Sequence, residues 1–288
     1  MLGIISVELY GCTYERQYFN ATEVDDYSAP VVFLKEQKTG KKYFVSLSAP
    51  ENKYFLDWKE ICDFKEKKDF LFTQEKDGIE RIYEYNLEQK KYKCLLDEKA
   101  IQDYLEATDE GEVKSVYYYP EEGKISFLYG KYLVIYDKWD GFVSNLELQI
   151  SQTSKVYGWV DSDKFLFTDF KTVYEVNGKS GEKYRINDEL GNRITLNYNK
   201  TLGTSYGDEN YFGVTFSPVM IWSTHDYKVK KYHEGSLSPA RAQLSHDAKY
   251  IIFGQCLDKN QVLCMNTENE KICVLYETDD FILDILWE

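Results

Sequence analysis

Histidine is nearly missing from this chain, with three residues in 288, at positions 225, 233 and 246. A metal centre would have to draw on cysteine and carboxylate instead. The six cysteines (12, 62, 94, 256, 264 and 273) contain no C-x-x-C pair, and no D-x-[DN]-x-[DN]-G calcium loop is present. Basic runs are missing too: Lys65, Lys67 and Lys68 alternate with Asp63, Glu66 and Asp69, and the formal net charge is −14. That charge repels a nucleic-acid backbone or an anionic membrane, so neither is expected as a partner. No stretch approaches the roughly 18 apolar residues of a membrane span. The first residues, MLGIISVELYG, lack a basic start, contain Glu8 and lead to no small-residue cleavage site. They do not read as a signal peptide, so a cytoplasmic protein with free buried thiols is expected.

What is abundant is aromatic: 16% of residues, including 26 tyrosines. Tyrosine and phenylalanine suit half-buried pleated strands, so the bias favours β structure. An internal repeat gives that bias a form. Polar turns followed by apolar runs start at Val31, Phe70, Ile125, Phe165, Tyr211 and Tyr250, spaced 39, 55, 40, 46 and 39 residues apart. A next strand follows each run and closes on a turn former, at Ser48, Asn86, Asp137, Asn177, Ser223 and Asn266. These side chains bond their own backbone to start a turn. A further strand follows, and another precedes each polar turn, giving four short strands per repeat of about 40 residues.

Four-stranded units repeated in this way make the blades of a β-propeller. The expected fold is therefore all-β, one propeller domain over residues 1–288 with six four-stranded blades. The strand in FILDILWE at 281–288 would complete the first blade and close the ring, removing its exposed edges. The leftover segment GIISVELYG keeps a seven-bladed ring as the alternative. The turn-strand DAKYIIF at 247–253 and the hairpin VYEVNGKSGEK at 173–183 resemble repeats of WD40-like and TolB-like propellers over about residues 29–288. The resemblance implies a scaffold that docks ligands on one face and carries over no catalytic residue. The full WD40 signature is absent, since only Trp139-Asp140 and Asp57-Trp58 place Trp and Asp together.

The candidate chemistry is sparse. GTSYG at 203–207 matches a nucleophile elbow, with Asp226 and then His233 or His246 downstream. The elbow needs a helix after the serine, whereas DENYFGVTF reads as a strand, so the motif is expected to be a turn between the first and second strands of blade five. NGKS at 177–180 lacks the upstream glycine of a phosphate loop and reads as a hairpin turn. Cys256, Cys264 and Cys273 fall on or beside successive strands, where two can be neighbours, and are expected to be buried small hydrophobes. No metal or other cofactor is expected, and no catalytic residue is assigned.

Binding residues are sought on the first strands, which line a propeller's channel. Tyr117 and Tyr119 are expected on one face of their strand and Tyr157 and Trp159 on one face of theirs, either packing between blades or flooring a pocket. Asp161 and Asp284 are the first-strand carboxylates. The long 55-residue spacing admits a short helical insertion near 96–112, capped by Asp97, striped by Ala100, Ile101, Tyr104 and Leu105, and stopped by Gly111. It is acidic, and Asp103 and Glu106 on it are candidate contacts for a basic protein partner. The expected function is a non-enzymatic protein-interaction scaffold. The alternative is a channel that binds a glycan or small ligand, or acts on a glycan.

Overall fold

The computed structural model describes residues 30–65, 69–106, 111–149, 154–168, 172–186, 192–197, 200–206, 209–211, 214–216, 218–235, 240–245, 247–256 and 259–287. The leftover segment at the N-terminus lies outside them. Blade I takes β1 (Val31–Lys35), β2 (Lys42–Ser46) and β3 (Tyr54–Phe55). Blade II follows as β4 (Glu60–Lys65), β5 (Asp69–Lys76), β6 (Ile79–Asn86) and β7 (Lys91–Asp97), and then the helix α1 (Glu98–Leu105). Blade III is β8 (Val113–Tyr118), β9 (Lys124–Tyr129), β10 (Tyr132–Asp137) and β11 (Gly141–Glu147). Blade IV is β12 (Lys155–Trp159), β13 (Lys164–Thr168), β14 (Val173–Asn177) and β15 (Lys183–Arg185). Blade V holds β16 (Asn192–Leu196), β17 (Leu202–Tyr206), the hairpin β18 (Glu209–Tyr211) and β19 (Val214–Phe216), β20 (Pro218–Ser223) and β21 (Val229–Gly235). Blade VI is β22 (Gln243–Leu244), β23 (Tyr250–Cys256), β24 (Asn260–Asn266) and β25 (Ile272–Thr278). The remaining strand, β26 (Phe281–Leu286), pairs antiparallel with β1 and becomes the innermost strand of blade I, so the ring closes as expected.

Each seam between blades has its own apolar cluster, six in all. This explains why the second strands β1, β5, β13 and β23 hold continuous apolar runs and do not alternate. In β1, Val31 and Phe33 face the seam with blade II while Val32 and Leu34 face the seam with blade VI. In β13, Phe165 and Phe167 face blade III and Leu166 faces blade V. A strand buried on both faces uses its period of two to serve two cores.

The turn formers act as their chemistry dictates. Asn177 Oδ1 accepts from the amides of Lys179 and Ser180, so NGKS is the expected hairpin turn. Asp137 and Asn266 cap their turns in the same way. In blade I the residue that ends the third strand is Ser46, two positions before the Ser48 expected from the repeat.

Blade V departs from the expected register. Its second strand is β17, which pairs with β20, and Tyr211 belongs to the inserted hairpin. The departure traces to Gly203. A Cβ there would lie 2.2 Å from the Trp222 ring, which fills the space a side chain would take. The strand thus reads LGTSY, a turn-like composition, and Ser205 is fully buried within it opposite Met220.

The insertion forms the expected helix, with Asp97 Oδ1 accepting from the Ala100 amide. Its stop is Glu106, in the left-handed region at φ 50°, five residues before the expected Gly111. Gly111 does other work: its amide donates to the Tyr129 hydroxyl at 3.1 Å, and a Cβ would lie 2.7 Å from that ring. Ile101 is fully buried in the blade II–III seam, with Ala100, Tyr104 and Leu105 packed beside it. Among the described residues no helix is long and apolar enough to cross a membrane.

Candidate functional site

Strand pairing places all six blades on one scale. Counting from the residue opposite the third-strand turn former, the second-strand residues Phe33, Leu71, Ser126, Leu166, Thr204 and Ile252 are equivalent. Their first-strand partners are Asp284, Asp63, Tyr117, Gly158, Thr195 and Gln243. One tier along, the partners are Phe281, Glu60, Lys114, Lys155 and Asn192 in blades I to V. In blade VI the described pairing ends at Gln243, and Arg241 lies two residues before it. In blades I to V the pairing slips beside the first tier, a bulge that re-aims the neighbouring side chains.

Arg241 ties the inner strands of neighbouring blades together. Its Nε and Nη2 donate to both carboxylate oxygens of Asp284 on blade I, at 2.7 to 3.2 Å. Its Nη1 donates to the Cys62 carbonyl on blade II at 2.8 Å, and Nη2 to the Ile61 carbonyl at 3.3 Å. One side chain thus clasps the inner strands of three blades. Burial works against the guanidinium charge, but Asp284 more than offsets it and holds Arg241 protonated above its usual range. Asp63 accepts from the Tyr118 amide at 2.9 Å, linking blades II and III, and Ser115 accepts from the Val156 amide at 3.1 Å, linking III and IV.

Two charged groups of the outer tier have no such partner. The side chains of Glu60 and Lys155 are both reached by solvent, and neither makes an ion pair or hydrogen bond among the described residues. Desolvation nevertheless raises the Glu60 carboxyl above its ordinary range, with Arg241 and Lys155 opposing the rise and Asp284 adding to it. Tyr117 shares this neighbourhood: burial raises its phenol, against the pull of Arg241, and Asp63 and Glu60 raise it further.

The aromatic candidates divide between two places. Tyr117 packs in the blade III–IV cluster. Tyr157 and Trp159 do not share a face: a bulge at Gly158, with φ at +125°, sends Tyr157 to the blade IV–V cluster and Trp159 to the III–IV cluster. Trp159 is buried, and its indole N–H donates to Ser126 Oγ at 2.6 Å. Tyr119 meets the Trp159 ring edge-on at 4.6 Å and donates its hydroxyl to the Ser162 carbonyl at 2.6 Å. These two border a cleft of about 340 Å³ between blades III and IV, lined also by Leu133, Ile135, Val143 and Leu146.

Asp103 and Glu106 are exposed on α1 and at its end, away from the axis. Asp161 lies in the turn after β12, outside the channel, where it accepts from the Asp163 amide at 2.8 Å. Asp226 is at a hairpin tip, paired with Lys228, while Ser205 is fully buried in its strand, so the elbow motif assembles no triad with Asp226. His246 lies outside the described residues. Cys264 and Cys273 are buried cross-strand neighbours, as expected. Among the described residues no cluster of three metal-ligating side chains occurs. Asp284 was visible from sequence as a first-strand carboxylate. Its partner Arg241, and the tier holding Glu60 and Lys155, were not, because they emerge only once the blades are aligned by pairing.

No protein-family profile matches the chain, and no curated protein resembles it in sequence. Its fold is similar to TolB from Acinetobacter baumannii, at 12% identity and a TM-score of 0.65, covering 90% of this chain and 66% of that one. The chain therefore spans about two thirds of that protein. A TolB candidate from Agrobacterium tumefaciens aligns at 12% identity and a TM-score of 0.54, over 88% of this chain and 91% of that one. The β-propeller domain of the Trilobed protease from Pyrococcus furiosus aligns at 12% identity and 0.51, over 85% and 80%. That domain is described by an open Velcro topology, whereas here β26 closes the ring. The likeness is one of fold: a TolB-like β-propeller.

Proposed function

We propose that this propeller is a non-enzymatic binding protein whose ligand seat is the mouth of its axial channel. One observation carries the reading: Arg241 is engaged across blades I, II and VI, while Glu60 and Lys155 are exposed and have no ion pair or hydrogen bond among the described residues. A ring that carries two such charges and a tyrosine on its inner strands would offer a ligand convergent polar groups. The test is a thermal-shift screen of small polar compounds against the wild type and Lys155→Glu. Compounds that stabilise the wild type and fail on the reversal support the channel. Compounds that shift both proteins equally overturn it.

A second reading is favoured by Trp139, which is 73% exposed at the β10–β11 turn, and by exposed Val143 beside the cleft. Exposed aromatic anchors dominate protein interfaces. A basic protein partner would meet this anchor and the exposed acids Asp103 and Glu106 on α1, with association that weakens as salt rises. Trp139→Ala combined with Asp103→Lys and Glu106→Lys should abolish its binding to a basic protein measured by light-scattering titration. Unchanged binding by the triple variant overturns this docking mode.

A further inference from the structure

The cleft between blades III and IV marks a break in the repeat. The residue after the third-strand turn former holds one place from blade to blade. Its amide donates to the carbonyl of the residue before the second strand, as Leu47 does to Pro30, Lys138 to Gly123 and Gly178 to Asp163, at 2.6 to 2.9 Å. Leu47 and, after Asn86, Leu87 extend into the VI–I and I–II seams. Lys138 reaches Glu84 across the II–III seam. Gly178 sends no side chain into the III–IV seam, and a Cβ there would lie 2.8 Å from the Trp159 ring. The outer strands differ as well. β15 has three residues against seven in β11, and Val143 and Ser144 on β11 stay exposed. The cleft of about 340 Å³ lies where these two features meet. That size is at the low end for ligand clefts, which run from about 300 to 1,000 Å³.

We propose that this cleft binds a small uncharged compound, one apolar ring carrying a single hydrogen-bonding group, as in a phenol or an indole. The wall is apolar: Leu133, Ile135 and Leu146 line it and belong to the III–IV cluster. The charges at the rim are matched, Lys124 with Glu121 and Lys179 with Asp163. They sum to zero, so a charged guest would have to displace one partner or meet the apolar wall unpaired. The Tyr119 hydroxyl already donates to the Ser162 carbonyl, which leaves its oxygen to accept from an O–H or N–H of the guest. A ring held here would fill the III–IV seam as Leu47 and Leu87 fill theirs. Neither Glu60, Lys155 nor Tyr117 lines the cleft, so the inference stands apart from the channel mouth.

The experiment follows the indole N–H signals of the five tryptophans by two-dimensional NMR while 4-methylphenol or indole is added. Benzoate and benzylamine, single rings bearing one charge, are titrated in parallel. The Trp159 signal, identified by its loss in Trp159→Phe, should shift saturably with an uncharged probe. The charged probes should bind at least tenfold more weakly. Ser144 lines the cleft opposite Ile135 and is exposed, so Ser144→Phe puts a ring of the protein's own into the space. It should weaken the uncharged probe at least tenfold, and Lys155→Glu should leave that binding constant unchanged. A melting curve establishes that Ser144→Phe is folded, and Ser144→Leu takes its place if it is not. The proposal is overturned if neither uncharged probe shifts the Trp159 signal, or if the Ser144 variant binds as the wild type does. A charged probe that binds as well as the uncharged ones overturns the uncharged guest. Binding lost in Lys155→Glu and kept in the Ser144 variant would move the guest to the channel and overturn the cleft.

Discussion

The arc of blades VI, I and II and the seam between blades III and IV solve one packing problem in two ways. At the arc, a guanidinium gathers a carboxylate and two backbone carbonyls from neighbouring inner strands. At the III–IV seam, rings do the joining: Tyr119 stands edge-on to Trp159, and one indole hydrogen bond reaches Ser126. The charged clasp is directional and reaches past its neighbour, so it ties three blades. The aromatic joint fills space only where rings meet, and a cleft opens beside it. Closure by charge depends on complete pairing, and closure by rings depends on area.

Removing Phe281–Glu288 attacks the arc at its root and has the largest expected effect. It deletes the inner strand of blade I, with buried Ile282, Ile285, Leu286 and Trp287, together with Asp284. The truncated chain should show no cooperative thermal transition and should elute as aggregate. A melt like that of the full chain would refute strand closure.

Arg241→Met breaks the clasp while the strand stays. It leaves Asp284 without its partner, and losing one member of a buried pair should cost about 4 kcal/mol in urea unfolding. Adding Asp284→Asn should recover part of that loss. A double variant worse than the single would show that the two residues are not coupled. Ile101→Ala tests the II–III seam, which α1 covers. The cost should be about 3 kcal/mol, because the side chain is fully buried.

Trp159→Phe keeps most of the ring at the III–IV seam and removes the indole N–H, leaving buried Ser126 Oγ short of a donor. A loss of about 2 kcal/mol is expected by the same unfolding assay. A loss matching that of Arg241→Met would erase the distinction between the two seams. Ser205→Ala, remote from both, should have the smallest effect. Its buried hydroxyl has no hydrogen-bond partner among the described residues, so removal should stabilise by up to about 1 kcal/mol. A fluorophosphonate probe should leave Ser205 unlabelled, and labelling there would restore the hydrolase reading.

The blades were legible in the sequence because their signals are local. A polar turn, an apolar run and a Ser, Asn or Asp lie within about twenty residues, and Asn177 shows why: its side chain bonds amides two and three positions on. Blade V was misread for an equally local reason, since Gly203 and the inserted hairpin give a strand the composition of a turn. The clasp was illegible for a different reason. Arg241 meets Asp284 at a separation of 43 residues and Cys62 at 179, and no periodicity connects them. The bulges that split Tyr157 from Trp159 defeat a strict period of two. Glu60 and Lys155 looked like any surface charges until strand pairing set them at one depth.

The pairing of β1 with β26 also has a temporal side. Val31 is held by Leu286, so a strand made among the earliest waits for one made after every other blade. At translation rates of about 5–20 residues per second the interval is roughly ten to fifty seconds. During it the nascent chain carries the apolar face of Val32 and Leu34 without its cover. Molecular chaperones that hold exposed strand edges would find their substrate in this window, and the ribosome's pace becomes part of how the ring is assembled.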